Sequence, residues 1–390
     1  MTQAVRNITD FLNLSALINY QLSAVPVNWQ AVLSLTVGDR FTEEEDHILI
    51  ELLALLNDAY GQRKRRLGPY AVLHPIRSMA LLFGTLEKAV LSDAITILLH
   101  DKDEDIRQKD FSPEHWLALS TRFEQWLEQH DAGERSLLVA RLDHLTTRKN
   151  ELYYNYIGRI MEKAREVPEI VRVKLADRLD NTLDLRMDLQ DASACLDCFE
   201  LVFGVLFLNS PHKQPGRRLH PVQGKIDGAH RLYQLFKNAV FLSLLRREKL
   251  DKLDESTSVL FTTLARASLA EAQRNLAHLF TYHITQTEAK RAIVTSVMEY
   301  CQAGAISMVT DYGRRHRLDG LFKHHFDHET KAIREQHLTE LYQDKPFMAE
   351  ISLAFTAVFH NFLVDPDFLI RGIDPLGIHP ELSDPGPAAD

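Results

Sequence analysis

The chain has 390 residues, of which 45% are hydrophobic and 25% charged, so it is long enough for at least two packed units and too apolar for global disorder. The chain contains only 16 glycines and 14 prolines, and this low number argues against a turn-rich β architecture. Its three cysteines are too few for a disulfide framework, which favours a reducing cytoplasm. The formal net charge of −9 argues against duplex nucleic acid as a partner, because that partner demands a broadly basic face.

The N-terminal segment lacks the basic region, the sustained apolar core and the cleavage site of a signal peptide. The longest apolar run is shorter than the ~20 residues that a membrane helix needs. We therefore expect a cytoplasmic protein with no membrane association.

Helical spacing of apolar residues runs through most of the chain, beginning with a helical extension over residues 1–40. Residues 41–60 predict a helix in which Thr42 is the N-cap and Glu45 completes a capping box. A basic stretch and a Gly-Pro step follow, after which the apolar pattern resumes. Further helices are predicted over residues 89–102, 113–130, 133–145, 149–166 and 168–187.

Residues 206–228 concentrate Pro, Gly and basic side chains, which predicts a linker between two halves. We assign residues 41–205 to the domain that carries the chemistry and residues 229–380 to a helical C-terminal domain of unknown role. Residues 381–390 are typical of a flexible tail. Helical spacing in the C-terminal half covers residues 229–248, 257–282, 286–310 and 328–363. The predicted fold class is therefore all-α, with two helical domains.

Ionisable residues gather where an apolar run ends, in the sequence His100-Asp101 followed by Glu104-Asp105. Two explanations compete, namely a solvated helix end, or imidazole and carboxylate groups gathered around a divalent cation. The second explanation gains support from His74, which lies upstream in an apolar setting.

Asp177 is the most informative residue, because its apolar neighbours would hold it next to, or within, the buried face of a helix. A buried carboxylate needs a cation, either a nearby Arg or Lys or a metal. With His74, His100 and Asp101 it offers two imidazoles and two carboxylates, which suit Mn²⁺, Fe²⁺ or Zn²⁺ better than Mg²⁺ or Ca²⁺. Such a metal can acidify its water and polarise a phosphoryl oxygen, so the implied chemistry is phosphoester or pyrophosphate hydrolysis.

The order His74, then His100-Asp101, then Asp177 resembles the H…HD…D signature of the HD superfamily of metal-dependent phosphohydrolases, whose fold is an all-helical bundle. Three longer motifs resemble, in the same order, those of the hydrolase domain of RelA/SpoT-type enzymes: GQRKRRLGPY (61–70), HDKDED (100–105) and VKLADRLDN (173–181). Those enzymes remove the 3′-pyrophosphate from ppGpp and pppGpp using Mn²⁺. The resemblance therefore implies this activity, this metal, and the four residues of the signature as its ligands.

The resemblance also implies roles for five further residues. Glu104 and Asp105 match a catalytic Glu-Asp pair that helps to orient or activate the attacking water and the leaving pyrophosphate. Lys64 and Arg65 occupy, in inverted order, the places of an Arg-Lys pair that grips the nucleotide. Asn181 matches an Asn that lies beside the nucleotide.

Two departures from the family pattern leave the substrate open. Asp180 stands where family members usually carry His, and Lys102-Asp103 replaces a less charged pair. A charge at Asp180 would oppose a polyanionic substrate if it faced inward, whereas it would be harmless if it faced solvent. The alternatives are hydrolysis of another nucleotide phosphate and a non-catalytic nucleotide-sensing or protein-binding module. The C-terminal half could form a homo-oligomer or bind a protein partner.

Overall fold

The computed structural model describes residues 8–61, 63–65, 70–149, 151–185, 227–311, 315–328 and 330–379. Within these ranges, regular structure consists of helices and one short β-hairpin, which confirms the all-α prediction. Nearly all of the predicted linker 206–228, and the whole of the predicted tail 381–390, lie outside the described residues.

The α-helices in chain order are α1 (Ile8–Ser23), α2 (Trp29–Val37), α3 (Glu43–Tyr60), α4 (Leu73–Phe83), α5 (Leu91–Leu99), α6 (Lys102–Asp105), α7 (Pro113–Glu128), α8 (Ala132–Leu145), α9 (Tyr153–Lys163), α10 (Glu169–Asp184), α11 (Gly228–Arg247), α12 (Glu255–Tyr282), α13 (Thr287–Gln302), α14 (Lys331–Gln343) and α15 (Lys345–Val364). The antiparallel hairpin consists of β1 (Ile373–Asp374) and β2 (Gly377–Ile378). Single helical turns of other types cover Gln108–Asp110, Ala305–Met308 and Phe322–Phe326.

Local sequence signals set several helix ends. The predicted capping box of α3 is confirmed, because the Glu45 amide donates to the Thr42 hydroxyl at 3.3 Å and the Thr42 amide donates to the Glu45 carboxylate at 2.9 Å. The stretch 328–363, which shows helical spacing throughout, forms two helices. Asp344 caps the second helix by accepting from the Phe347 amide at 2.9 Å. The first helix cannot continue through Pro346, two residues further on, because proline has no backbone N–H to donate and its ring clashes with the preceding turn.

Helix α10 lies at the centre of the molecule and is buried on nearly every face, where it packs against α4 and α12. Buried apolar side chains from both halves of the chain form one continuous core. Within the described residues, α15 alone is long and apolar enough to cross a membrane, and 61% of its most apolar stretch is buried in the core, as is usual for a core helix. The central position of α10 brings its charged side chains into the interior, beside those of α4.

The β-hairpin packs against α9. A Cβ atom placed on Gly158 would come within 2.6 Å of the Cβ of Pro375, so the helix and the turn approach more closely than any other residue permits. A Cβ atom on Gly377 would lie 3.1 Å from the ring of Tyr154. The end of the described chain is therefore fitted closely to a helix of the N-terminal half.

Candidate metal centre

The four predicted metal ligands converge where α4, the C-terminal end of α5 and α10 meet, and their ligand atoms all lie within 4.8 Å of one another. His74 Nε2 is 3.2 Å from both Asp101 Oδ2 and Asp177 Oδ1. His100 Nε2 is 3.3 Å and 3.6 Å from the same two oxygens. Donors held about 2.1 Å from one ion stand about 3.0 to 3.4 Å apart in octahedral or tetrahedral arrangements. Three of the four spacings lie in this range and the fourth, at 3.6 Å, is slightly longer, so the arrangement is close to that around a single cation.

Hydrogen bonds on the far side of each imidazole direct its Nε2 atom at the cluster. His100 Nδ1 donates to the carbonyl oxygen of Ile97 at 2.7 Å, and because a carbonyl only accepts, the proton is on Nδ1. His74 Nδ1 donates to the carboxylate of Asp180 at 2.6 Å. In the neutral imidazole each Nε2 is then a buried acceptor that faces carboxylate oxygens, which cannot donate to it. Buried nitrogens are rarely left in this state, and a cation among the four residues would accept both lone pairs.

Asp180 faces inward and is fully buried, which answers the question that the sequence left open. Besides His74 it accepts from Arg77 Nε at 2.7 Å and from Arg65 Nη1 at 3.1 Å. Burial favours the neutral acid, but Arg77 and then His74 and Arg65 hold the pKa of Asp180 well below its usual range. Its charge is thus compensated, and its contact with His74 is the carboxylate–histidine arrangement that orients metal ligands. This positioning role was not predicted from the sequence, although Asp177 and Asp180 stand three residues apart on one helix face.

Asp177 has its two oxygens in different surroundings. Oδ2 pairs with Lys174 Nζ at 2.7 Å, whereas Oδ1 faces the histidines and accepts from Asn181 Nδ2 at 2.5 Å. Burial opposes the charge, but Lys174 and the two imidazoles hold the pKa of Asp177 well below its ordinary value. Lys174 is itself buried, with Nζ 4.9 Å from the centre of the Tyr156 ring. The lysine therefore keeps Asp177 ionised, and the other oxygen is directed at the cluster.

The cluster carries a negative field that attracts cations. Burial lowers the pKa of His100, but the charge of Asp101 and the contacts with Asp177 outweigh burial and raise it to about 9. The same carboxylates would also stabilise a divalent cation, which competes with the proton for the Nε2 lone pair.

Two cavities adjoin the cluster, and Asp101 and Asn181 line both of them. The first cavity has a volume of about 460 Å³ and is also lined by Lys64, Arg65 and Asp105. The second has a volume of about 430 Å³ and lies between α9, α10 and the C-terminal half. A substrate that reaches the cluster therefore has space in two adjoining cavities.

The predicted catalytic pair is divided between these cavities. Asp105 lines the first, where its carboxylate accepts from the Tyr60 hydroxyl at 3.2 Å, and partial burial followed by the charge of Asp101 raises its pKa. Glu104 lines the second, where the Thr147 amide donates to it at 2.7 Å. The two carboxylates therefore occupy different environments, in two cavities that both include the predicted ligand Asp101.

The predicted nucleotide-binding residues lie at the first cavity. Arg65 Nη2 donates to Asn181 Oδ1 at 2.6 Å, so the arginine and the asparagine form one hydrogen-bonded unit with Asp177. Lys64 is exposed, and its Nζ lies 5.8 Å from the centre of the Tyr70 ring. The structure thus brings all nine predicted site residues to the cluster or to the walls of its cavities.

Comparison with known proteins gives no significant match, whether to a protein family, to a curated protein or to a solved structure. Any functional conclusion therefore depends on the motifs and on the geometry of the site. In the described part of the chain, this is the single group of at least three His, Cys, Asp or Glu side chains that converge in this way.

Proposed function

We propose that the chain is a cytoplasmic, Mn²⁺-dependent HD-type phosphohydrolase that removes the 3′-pyrophosphate of guanosine polyphosphates such as ppGpp. The observation that carries the proposal is the convergence of His74, His100, Asp101 and Asp177, with both imidazole Nε2 atoms buried and facing carboxylate oxygens. The choice of substrate depends on the three motifs that resemble those of RelA/SpoT-type hydrolases.

The surroundings of the cluster support hydrolysis of a phosphate ester. A divalent cation bound there would polarise a phosphoryl oxygen and make a water molecule more acidic. Asp105, whose pKa is raised, is suited to hold a proton and to donate it, whereas Glu104 is fixed by Thr147 as an acceptor. Two carboxylates in different environments can serve opposite protonation roles in one reaction.

The first cavity is suited to the nucleoside end of the substrate. The guanidinium of Arg65 is held in place by Asn181, and a planar guanidinium can stack on a purine or form paired hydrogen bonds with phosphate. Lys64 adds a solvent-exposed positive charge, and Tyr60 adds an aromatic ring at the wall. An aromatic ring and two cations are the groups that a purine nucleotide requires.

The test combines metal analysis with an assay of ppGpp hydrolysis in Mn²⁺, with identification of the products. We expect the wild type to bind metal and to release GDP together with pyrophosphate. Asp177→Ala and His100→Ala should lose both properties, whereas Glu104→Ala should keep the metal and lose turnover. Asp103→Ala is the matched control, because Asp103 is an exposed carboxylate of the same motif that lies outside the cluster.

A fully active Asp177→Ala variant would overturn the site. Turnover of other nucleotides with none of ppGpp would keep the metal centre and replace the substrate. Tight binding of ppGpp without release of pyrophosphate in Mn²⁺ would instead make the protein a nucleotide sensor.

A further inference from the structure

The second cavity joins the cluster to the C-terminal half. Its walls come from α9 and α10 on one side, and from α11, α14 and the helical turn at Phe322–Phe326 on the other. Asp101 and Asp177 belong to its lining, so a group bound in this cavity lies next to the metal ligands.

Cations without an anionic partner line this cavity. Arg178 is buried and directs its guanidinium at neutral groups, donating to Asn238 Oδ1 at 2.9 Å and to Gln234 Oε1 at 3.2 Å. Lys237 lies between two aromatic rings, with Nζ 5.2 Å from the centre of Tyr233 and 5.9 Å from that of Tyr153. Among the described residues, neither cation has a carboxylate within ion-pair distance.

Arg334, on α14, is the third such cation. Its guanidinium carbon lies 4.9 Å from the centre of the Tyr233 ring, and its Nε is buried without a hydrogen-bond partner. The described ranges contain no carboxylate in ion-pair contact with it either. A buried donor of this kind in a cavity wall indicates a missing acceptor.

Five carboxylates line this cavity beside six lysines and arginines, and each of the five is already engaged. Asp101, Glu104 and Asp177 make the contacts described above. Glu151 pairs with Arg159 at 2.9 Å. Asp327 accepts from the Tyr154 hydroxyl and pairs with Lys323 at 3.2 Å. The three cations named above therefore keep positive charges that no described carboxylate of these walls pairs with.

The pKa of Lys237 reflects the positive charges around it. Burial lowers the pKa of Lys237 well below its ordinary value, and the positive charges of Arg178 and Lys174 lower it further. An anion placed among these side chains would oppose both effects, because it restores a favourable partner for the charged amine.

We infer that the second cavity is a diphosphate-binding site, in which Arg178, Lys237 and Arg334 hold the phosphate groups of the substrate beside the metal ligands. This role in catalysis rests on the proposed phosphohydrolase function. A diphosphate carries several charged oxygens, which match the fork of donors on each guanidinium and the ammonium group between the rings. The C-terminal half then supplies part of the active site, because two of the three cations belong to it.

The direct test measures binding of inorganic pyrophosphate to the full-length protein by calorimetry, in the presence of a metal chelator. The variants are Lys237→Gln and Arg334→Gln, with Lys237→Arg as the charge-conserving variant and Lys252→Gln as the control, since Lys252 is exposed and does not line the cavity. Loss of one desolvated contact to a charged oxygen should raise the dissociation constant for pyrophosphate about tenfold or more. Lys237→Arg should keep most of the wild-type affinity, because it conserves the charge. Thermal unfolding of each variant verifies that the fold is retained.

The same variants are then assayed for ppGpp hydrolysis. We expect Lys237→Gln and Arg334→Gln to raise KM about tenfold, with metal content equal to that of the wild type. If the wild type binds pyrophosphate through these residues but does not hydrolyse ppGpp, the proposed function fails and the diphosphate site stands.

If the wild type hydrolyses ppGpp while both variants keep its KM and its affinity for pyrophosphate, the function stands and the diphosphate site is wrong. A wild type that does not bind pyrophosphate at all also overturns the site. Because two variants on different helices are compared, a folding defect in one of them leaves the other to decide the question.

Discussion

The contact between Asp180 and His74 gives the sharpest prediction. Asn at position 180 presents one acceptor where Asp presents two, so either His74 or Arg77 would then face an N–H donor. Loss of such an orienting partner costs 10- to 100-fold in metal affinity, which is about 1.4 to 2.8 kcal/mol. We therefore expect Asp180→Asn to weaken Mn²⁺ binding by this factor.

The substitution also affects folding, because Arg77 is a fully buried cation that Asp180 helps to neutralise. Breaking a buried pair costs about 3 to 5 kcal/mol, and the lower end applies here because Arg77 keeps an ion pair with Asp184 at 2.9 Å. Urea unfolding measures this loss, whereas the fraction of free Mn²⁺, followed by its electron paramagnetic resonance, measures the affinity.

Asp184→Asn is the control that separates the two effects. Asp184 pairs with Arg77 and, at 3.5 Å, with Arg65, and it makes no contact with the imidazole of His74. It should therefore lose stability while Mn²⁺ affinity stays close to that of the wild type. Equal Mn²⁺ affinities in Asp180→Asn and Asp184→Asn would refute the argument that Asp180 positions a metal ligand.

Two further predictions concern stability. Thr42→Ala removes the N-cap of α3 and should lower the free energy of unfolding by about 1 kcal/mol in urea; an unchanged midpoint would contradict the capping box. His230 pairs with Asp227, which also lies near Lys345, and with Glu335, and the hydrogen bond with Asp227 outweighs burial and raises its pKa. The stabilisation that comes from a raised pKa is fully present below the unfolded-state pKa of about 6.5, and it is lost as pH rises through the folded-state pKa. His230→Gln should therefore destabilise the protein more at about pH 5.5 than at about pH 9. An equal loss at both pH values would mean that the charged imidazole contributes nothing.

The elements that could be predicted are those that depend on local chemistry. The capping box of α3 lies within four residues, and the convergence of the four proposed ligands was predictable because each of them stands in a recognisable local motif. The orientation of Asp180 could not be predicted in the same way, since α10 is buried on nearly every side and helical periodicity then marks no outer face. The cations of the second cavity were missed for another reason. Lys237 and Arg334 belong to ordinary helices, and only packing between the two halves brings them near the metal ligands.

The glycine of α9 has a practical consequence for altering the protein. The hairpin turn at Pro375 lies against Gly158, and Gly377 lies against Tyr154, which lines the second cavity. Support for one wall of that cavity thus comes from residues more than two hundred positions further along the chain. Shortening the protein from its C-terminal side would therefore loosen the site before it removed any residue that lines it.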